Sequence, residues 1–312
     1  MSFSVYLAKS RGTCAGVNRA IATVELALEK YGAHKVYVLH EVVHNKHVVE
    51  DLKLKGAIFV EDLDAVPNGS VIIFSAHGVG QDTFFKAEQK QLQIIDATCP
   101  VVTGIHIKMN RASKEQKDAV VIGHKGHQEV LGTVGQYLGD PKKVHVIITK
   151  EDVDSLAIDG NNSFFATQTT LSVDETAQVI KELRAKYPNI QGPKEDDTCR
   201  ATQVRQDAIK QLAKISDVVL IAGSKNSSNS NRLKEVADAN GAKAYLVDDS
   251  GDIDLKWLSD VSKVGVSAGA SAPEYIVKEI IEFLQKNGAT VIVEVGSDLK
   301  EKSFPLPKEV RP

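Results

Sequence analysis

Short apolar runs alternate with longer amphipathic stretches along nearly the whole chain. The apolar runs have the length and composition of strands that are buried on both faces of a parallel sheet. They predict strands at Val36–Leu39, Val71–Phe74, Ala119–Ile122, Ser163–Ala166, Val218–Ala222 and Lys263–Val266. The amphipathic stretches predict helices at Gly16–Tyr31, Val48–Lys55, Val173–Lys186, Ala201–Ile215, Asn231–Asn240 and Pro273–Asn287. This alternation predicts an α/β fold.

The predicted helix over Val173–Lys186 has the clearest start signal. Ser172 precedes it and Glu175 follows three residues later, which is the spacing of a capping box. We therefore expect Ser172 to cap this helix.

A polar segment follows every predicted strand. In chain order these segments read HEVVHN, SAHG, GHKGHQE, TQTT, GSKNSSN and SAGASAP. The carboxyl ends of parallel strands meet at one edge of an open sheet, and ligands bind there. We therefore expect the six segments to line one shared crevice.

The chain's three cysteines divide these segments into three pairs. Cys14 precedes the first pair, Cys99 the second and Cys199 the third. This order predicts three similar α/β modules and a C-terminal segment that closes on the site. The predicted modules and the C-terminal segment cover residues 1–97, 98–193, 194–285 and 286–312.

The composition narrows the possible classes of protein. Hydrophobic residues make up 42% of the chain and charged residues 25%, which is typical of a globular protein with a real core. The formal net charge is -3, so the basic excess that nucleic-acid binding requires is absent. The sequence shows no secretory signal and no apolar run long enough to span a membrane. We expect a cytoplasmic protein.

Each cysteine follows a threonine in a polar or glycine-bearing segment, in RGTCAG, DATCP and DDTCR. A cysteine taken alone is often a small buried hydrophobe. These contexts instead suit metal ligation, because thiolates are the normal ligands of [4Fe–4S] clusters, and three of them leave one iron open to substrate. Zinc is the alternative metal, although structural zinc sites favour close C-x2-4-C pairs, which this chain lacks.

Three histidines, His44, His77 and His127, lie in the predicted loops beside small or amide-bearing residues. Imidazole donates hydrogen bonds to anions, and its protonated form also adds positive charge. We therefore expect these side chains to point into the crevice. His124, three residues before His127, is the weaker candidate.

Two segments place polar donors before a predicted helix. Segment 223–232, GSKNSSNSNR, and segment 267–273, SAGASAP, offer hydroxyl, amide and backbone N–H groups, as anion sites at helix N-termini do. A flexible loop is the alternative interpretation of the first segment. The chain has neither G-x-x-x-x-G-K-[ST] nor G-x-G-x-x-G, so a phosphate or diphosphate ligand is favoured over a nucleoside triphosphate or a dinucleotide.

Glu129 is the carboxylate that lies beside a candidate histidine in these loops. Burial next to an anion favours the protonated form and raises the pKa of a carboxyl group. Glu129 is therefore the candidate general acid. Thr169 and Thr170, in TQTT, are candidates to position its proton or a substrate hydroxyl.

Taken together, these motifs resemble the 4-hydroxy-3-methylbut-2-enyl diphosphate reductase family of the methylerythritol phosphate route to isoprenoids. The segments that match, in the family's order, are RGTCAGVNRA, HEVVHN, FSAHGV, DATCP, IGHKGHQEV, TQTTLSVD, GSKNSSNSNRL and AGASAP. The resemblance covers roughly residues 5–275. It implies a pseudo-threefold trefoil of three α/β modules around a central [4Fe–4S] cluster.

The resemblance also implies a role for each matched residue. Glu129 and Thr169 would lie at the substrate hydroxyl. The implied cluster ligands are Cys14, Cys99 and Cys199. The implied diphosphate ligands are His44, His77, His127, Ser227, Ser228, Asn229 and Ser271.

Four neighbouring positions depart from the residues that are common in the family. None of them replaces a matched functional residue, so they bear on the cluster environment more than on activity. The four residues are Thr13, Gln128, Leu131 and Arg200.

The implied reaction removes an allylic hydroxyl with two electrons and protons, giving isopentenyl and dimethylallyl diphosphates. An open iron is a Lewis acid for the hydroxyl oxygen, and the cluster passes electrons one at a time. The chain has no flavin or nicotinamide fingerprint, so a separate ferredoxin or flavodoxin would deliver the electrons.

Two other functions fit part of the pattern. A non-redox enzyme of the quinolinate synthase type also has three modules around a three-cysteine cluster, but it would need arginines for a dicarboxylate. A cluster-based sensor would not need six polar loops.

Overall fold

The computed structural model describes residues 2–297 and 303–311. The strands are β1 Phe3–Ala8, β2 Val36–Leu39, β3 Ile58–Val60, β4 Val71–Phe74, β5 Gln93–Asp96, β6 Asp118–Ile122, β7 Val144–Ile147, β8 Ser163–Thr167, β9 Val218–Ala222, β10 Lys243–Val247, β11 Lys263–Ala268 and β12 Ala289–Val295. The α-helices are α1 Ala15–Tyr31, α2 Lys46–Leu54, α3 Gln81–Gln89, α4 Pro100–Lys114, α5 Gln128–Val134, α6 Lys150–Ser155, α7 Val173–Lys186, α8 Arg200–Ala213, α9 Ser228–Ala239 and α10 Glu274–Lys286.

Helices connect three sheets, and all strand pairs among these described elements run parallel. The predicted α/β class is therefore confirmed. All six predicted strands are present, three of them with the predicted bounds. The helix over Val173–Lys186 also has its predicted bounds, and the Ser172 side chain accepts a hydrogen bond from the Glu175 N–H at 3.3 Å.

Five of the six predicted helix starts need correction. Helices α1, α2 and α8 begin one or two residues before the predicted Gly16, Val48 and Ala201. Helix α9 begins at Ser228, three residues before the predicted Asn231, because the Ser227 side chain accepts from the Ser230 N–H at 3.3 Å and caps the helix there. Pro273 is the N-cap of α10, and the first helical residue is Glu274. The polar run GSKNSSNSNR therefore supplies both the cap and the first turn of a helix.

The described chain forms two compact units that interleave along the sequence. The first unit contains Met1–Asn18, Val43–Asp51 and Arg200–Ser303, and the second contains Arg19–Val42, Leu52–Cys199 and Phe304–Pro312. The predicted boundaries of three sequential modules stay a prediction.

The first unit is built on a five-stranded sheet with the order β10-β9-β11-β1-β12. The N-terminal strand β1 lies between two strands from the C-terminal part of the chain, with Val5 opposite both Val264 and Ile292. Strand β9 shows why its run is apolar throughout. Leu220 packs in a cluster with Ile280 of α10, and the next residue, Ile221, packs on the other face in a cluster with residues of α8 and α9.

The second unit contains a four-stranded sheet, β3-β2-β4-β5, and a three-stranded sheet, β7-β6-β8. The predicted polar segments follow neighbouring strands in each sheet: β2 and β4 in one, β6 and β8 in the other. The same holds for β9 and β11 in the first unit. Each predicted pair of polar segments therefore follows two strands that end at the same edge of one sheet, while the single shared crevice stays a prediction.

The C-terminal segment predicted over 286–312 is only partly described, since residues 298–302 and 312 lie outside the described ranges. Its first part forms β12, the edge strand of the first unit. Its last part lies in the second unit, where Arg19 donates to the Pro305 carbonyl at 2.7 Å and Lys30 to the Glu309 carbonyl at 2.6 Å. Among the described residues, no helix is both long and apolar enough to cross a membrane.

Candidate active site

Each of the three cysteines directly precedes a helix. Cys14 comes before α1, Cys99 before α4 and Cys199 before α8. All three are half-buried and lie outside disulfide bonds. The positive end of a helix dipole stabilises a nearby thiolate, which is the form of cysteine that binds metals.

The backbone holds the three cysteines in the same way. In each case the cysteine N–H donates to a carbonyl oxygen two residues beyond the end of a strand, namely the strand β11, β4 or β8. The acceptors are Ala270 for Cys14 at 3.0 Å, Ala76 for Cys99 at 3.0 Å and Thr169 for Cys199 at 3.1 Å. Each cysteine is thus tied to one of the predicted polar loops, and the three local environments are equivalent.

Two of the three cysteine turns also share a side-chain hydrogen bond. The Asp96 carboxylate accepts from the Thr98 N–H at 2.9 Å, and the Asp196 carboxylate accepts from the Thr198 N–H at 2.6 Å. These aspartates were not predicted from the sequence, although the repeated Asp-x-Thr-Cys spacing is a visible signal of an Asx-turn. At Cys14, Arg11 takes the equivalent place, and the next residue, Gly12, has a positive φ of 73°.

These environments fit the implied cluster ligands: three accessible thiols, each at a helix start and each fixed by its backbone. Within the described ranges, no group of three or more His, Cys, Asp or Glu side chains is close enough to hold a single metal ion.

Donors for an anion gather in the first unit, where the loops after β9 and β11 meet. The Asn229 side chain is 4% exposed, and its Oδ1 accepts from the Ala270 N–H at 2.8 Å. Its Nδ2 is buried and has no hydrogen-bond partner among the described groups. A buried amide donor without a protein acceptor is costly unless a ligand satisfies it. Asn229 therefore has a free donor for an anionic oxygen.

The hydroxyls beside Asn229 have different roles. Ser227 is the N-cap of α9, and its Oγ accepts from Ser230 Oγ at 3.0 Å as well as from the backbone. Ser228 lies in the first turn and is half-buried. Ser271 donates its hydroxyl proton to the His44 carbonyl at 2.8 Å. In this conformation Ser271 holds the segment that carries His44, and its oxygen keeps the capacity to accept.

The His44 segment has further contacts within the first unit. The Lys46 N–H donates to Ser224 Oγ at 3.0 Å, and that hydroxyl lies 2.5 Å from the Asp248 carboxylate. His47 Nε2 lies 3.1 Å from Asp249 Oδ2. The sequence analysis missed these positioning residues, because the two aspartates lie in a loop after β10, which was not predicted.

Glu129 and Thr169 form a buried pair in the second unit. Glu129 is 3% exposed, and its two carboxyl oxygens accept from the Thr169 N–H at 2.6 Å and from Thr169 Oγ1 at 2.9 Å. Burial raises the pKa of Glu129 to about 7, although both hydrogen bonds from Thr169 act in the opposite direction. A carboxyl group with this pKa is protonated in an appreciable fraction of molecules near neutral pH, as a general acid must be.

Two of the candidate histidines lie near this pair. The His127 and His77 rings are perpendicular, with centroids 5.9 Å apart. His127 is the N-cap of α5, and its Nδ1 accepts from the Glu129 N–H at 3.2 Å. A neutral His127 ring therefore carries its proton on Nε2, where it is a donor. His77 Nδ1 lies 3.3 Å from Ser75 Oγ.

Thr170 is half-buried and accepts a hydrogen bond from Gln168 Nε2 at 2.8 Å. Gln168 Oε1 in turn accepts from the His124 N–H at 3.1 Å. Gln168, which the sequence analysis did not name, thus ties together the loops after β6 and β8.

Known proteins are similar to this chain over nearly its whole length. The model of the LytB protein family matches residues 5–285. The chain is 51% identical to the 4-hydroxy-3-methylbut-2-enyl diphosphate reductase of Psychromonas ingrahamii over 98% of both chains. It is also 51% identical to the enzyme of that name from Aeromonas hydrophila subsp. hydrophila over 99% of both chains.

A solved structure is similar as well. The E-1-hydroxy-2-methyl-but-2-enyl-4-diphosphate reductase of Plasmodium falciparum superposes with a TM-score of 0.93 at 35% identity, covering 99% of this chain and 97% of that one. The predicted family is therefore confirmed. On the family match and on full-length relatives at about half identity, the chain belongs to the LytB family.

Proposed function

We propose that this chain reduces 4-hydroxy-3-methylbut-2-enyl diphosphate to isopentenyl and dimethylallyl diphosphates. The C–O bond to the allylic hydroxyl breaks and a C–H bond forms. The substrate takes up two electrons and two protons, and the hydroxyl leaves as water. The names of the relatives and the local geometry of both units support this assignment.

The observation that carries the proposal is the buried Glu129–Thr169 pair. Loss of the hydroxyl as water needs a proton at the leaving oxygen, and Glu129 is the buried carboxyl group whose pKa is raised to about 7. The Thr169 hydroxyl, 2.9 Å from Glu129 Oε2, fixes the orientation of the acid. Thr169 Oγ1 also has a lone pair through which it can contact the substrate hydroxyl.

Diphosphate binding is assigned to donors in the polar loops. In the first unit these are the buried Asn229 amide and the hydroxyls of Ser227 and Ser228, with His44 on the adjacent segment. The Ser271 hydroxyl would join them by turning its proton from the His44 carbonyl to the ligand. In the second unit, His77, His127 and Thr170 offer side chains on the loops after β4, β6 and β8. Neutral amides, hydroxyls and imidazoles match a ligand with many acceptor oxygens.

We assign Cys14, Cys99 and Cys199 as the ligands of a [4Fe–4S] cluster with one open iron. When bound, this group would supply the two electrons, one at a time, and a Lewis acid for the hydroxyl oxygen. The protein's own contribution is to fix three thiolates, to exclude water from Glu129 and to hold the diphosphate. The electrons would come from a separate ferredoxin or flavodoxin.

The direct test is anaerobic purification followed by turnover with a chemical reductant, so that docking of a protein donor does not limit the rate. We expect a cluster absorption spectrum, about three to four irons per chain, as the proposed cluster type requires, and both isoprenoid diphosphates as products. The quinolinate synthase alternative predicts a cluster that an allylic diphosphate does not perturb. A cluster-loaded chain that gives no product from the allylic diphosphate would contradict the proposal.

A further inference from the structure

A basic residue in the helix after each cysteine contacts the turn that precedes another cysteine. In α1, which begins after Cys14, the Arg19 guanidinium donates to the Thr98 carbonyl at 3.0 Å and lies 3.4 Å from the Asp96 carbonyl. These carbonyls belong to the turn that ends at Cys99. The helix that starts at the first cysteine therefore holds the turn of the second.

Helix α4, which begins after Cys99, repeats this arrangement. Lys108 Nζ lies 2.8 Å from Asp197 Oδ1, and the Asp197 side chain is 7% exposed. The other oxygen of Asp197 accepts from the Thr167 N–H at 3.2 Å, and the Asp197 N–H donates to Thr167 Oγ1 at 2.9 Å. Asp197 stands two residues before Cys199, so Lys108 neutralises a buried carboxylate in the turn of the third cysteine.

Helix α8, which begins after Cys199, makes the third contact, with the turn before Cys14. Arg205 is 3% exposed, and its Nε and Nη2 both donate to the Gly12 carbonyl, at 3.1 and 2.7 Å. Its Nη1 donates to the Ala201 carbonyl at 2.8 Å, which fixes the guanidinium against its own helix. Gly12 stands two residues before Cys14, in the turn that requires a positive φ.

We infer that Arg19, Lys108 and Arg205 are positioning residues. Each lies in the helix after one cysteine and holds the turn before the next cysteine in the cycle Cys14, Cys99, Cys199 and back to Cys14. Each contact is a charge-assisted hydrogen bond or an ion pair, the stronger class of polar contact. The acceptors differ, since Arg19 and Arg205 contact backbone carbonyls and Lys108 a carboxylate, but every acceptor lies within the three residues that precede a cysteine. The inference rests on the proposed function only in that the three cysteines serve one cluster.

Loss of a residue that only stabilises the fold would affect all three cysteines. Loss of one of these positioning residues should instead affect a single cysteine, and not the one at the start of its own helix. Removing the charge from one helix should expose the next cysteine and leave the cysteine at the start of the same helix unchanged. Arg205→Gln should affect Cys14, Arg19→Gln should affect Cys99 and Lys108→Gln should affect Cys199.

The experiment measures the alkylation rate of each cysteine by mass spectrometry in the full-length chain, after iron is removed with a chelator under anaerobic conditions. The rate compared is the limiting rate at high pH, where the thiols are ionised, because a lost positive charge otherwise lowers the thiolate fraction and opposes the effect of exposure. We expect the rate at the next cysteine to rise roughly tenfold, which corresponds to about 1.4 kcal/mol. Arg205→Lys keeps the charge but loses the paired donors, so it should give an intermediate rate at Cys14. Lys114→Gln, at an exposed position on α4, is the matched control and should leave all three rates unchanged.

A rise at the cysteine of the same helix, an equal rise at all three cysteines or no rise would overturn the inference. Circular dichroism and thermal unfolding identify variants that fail to fold. If buried Arg205 does not tolerate glutamine, Lys108→Gln decides the question, because Lys108 is 47% exposed. Alkylation needs neither diphosphate nor an electron donor, so a failed reductase assay and a failed alkylation test are separate outcomes.

Discussion

The two units offer different chemistry at the ends of their strands. In the first unit, the loops after β9 and β11 present hydroxyls and an amide, with the buried Asn229 Nδ2 as the donor that lacks a protein acceptor. In the second unit, the loops after β6 and β8 present an imidazole and a buried carboxyl group, Glu129, whose pKa is raised to about 7. Amides and hydroxyls do not titrate near neutral pH, whereas Glu129 does.

This difference indicates that the two sets of loops have different roles: the first-unit loops bind the ligand, and the loops with Glu129 supply the proton. Changes to the amide and hydroxyl donors of the first unit should weaken binding and leave the pH profile intact. Changes to Glu129 should slow turnover and alter the pH profile while binding persists. The cysteines are the exception, because all three belong to the proposed ligand set.

The largest loss of activity is expected from changes to the cysteines, and it should be the same for all three. Cys14→Ser, Cys99→Ser and Cys199→Ser should each lose most of the bound iron and nearly all reductase activity, because one lost thiolate leaves two ligands. Iron and sulfide content after anaerobic reconstitution checks this, with the parent chain treated in parallel. A variant that keeps full iron content and turnover would identify its cysteine as a packing residue.

The next largest effect should follow Glu129→Gln. Glutamine can keep both contacts with Thr169, since its oxygen accepts from the backbone N–H and its amide donates to Oγ1. It cannot release an acidic proton, so turnover should fall about 100- to 10,000-fold, the usual contribution of general acid catalysis. Iron content and substrate affinity should survive. Turnover within about threefold of the parent, far below that range, would move the proton source to Thr169, His127 or the substrate's own diphosphate.

A smaller effect on binding should follow Asn229→Ala or Ser271→Ala. A lost hydrogen bond to a charged group costs about 1.5–3 kcal/mol, so affinity for the diphosphate should fall roughly 10- to 100-fold. Asn229→Asp is the informative companion, because its oxygen can still accept from the Ala270 N–H while the donor is replaced by a negative charge. Unchanged affinity in both alanine variants would place the anion site elsewhere.

The pH dependence should separate the two units further. Folding raises the Glu129 pKa from an ordinary value of 4.5 to about 7. The protonated acid is therefore lost above pH 7, and turnover should fall about tenfold per pH unit there. Glu129→Gln should abolish this limb, whereas Asn229→Ala should keep it. If the glutamine variant still loses turnover above pH 7, a group other than Glu129 causes that loss.

The same shift has a consequence for stability. Because the folded pKa is raised, the contribution of Glu129 to stability is fully present below pH 4.5 and is lost as the pH rises through 7. The parent chain should therefore lose stability relative to Glu129→Gln over this window, and thermal unfolding measured at several pH values checks this.

The smallest effect is expected in the second unit but outside the candidate loops. Thr149 caps α6, where its Oγ1 accepts from the Asp152 N–H at 3.2 Å in a reciprocal capping box. Thr149→Ala should cost about 1 kcal/mol of unfolding free energy. Turnover per folded chain should be unchanged, and Thr149→Ser should restore the stability. A change in turnover would show that residues of the second unit outside the candidate loops also affect the reaction.

Local patterns predicted much of the fold. Strands such as β4 and β9 are buried along their whole length, so their apolar runs stand out in the sequence. Missed strands such as β5, β7 and β10 include polar or exposed positions, so their apolar runs are interrupted. Strand β12 is different, because it has the apolar run Val291–Val293 although it is an edge strand whose Val291 is 50% exposed.

The candidate residues were visible as motifs, but their connections were not. The Cys14 N–H bonds a carbonyl of residue 270, and Arg205 bonds the Gly12 carbonyl. Backbone acceptors carry no sequence signal, so only the folded chain reveals these partners. The burial of Glu129 likewise depends on Thr169, which a different strand brings into contact.

The position of β1 between β11 and β12 has a consequence for the order of events during synthesis. At about 5–20 residues per second, β1 leaves the ribosome roughly 13–50 s before β11. The sheets of the second unit contain strands that follow each other closely in the chain, so they can form while translation continues. The hydrogen bond from Cys14 to Ala270 forms only when synthesis is nearly complete. The first cysteine to be made is therefore the last to reach its native environment, and a chain truncated before β11 should contain ordered turns for the later cysteines alone.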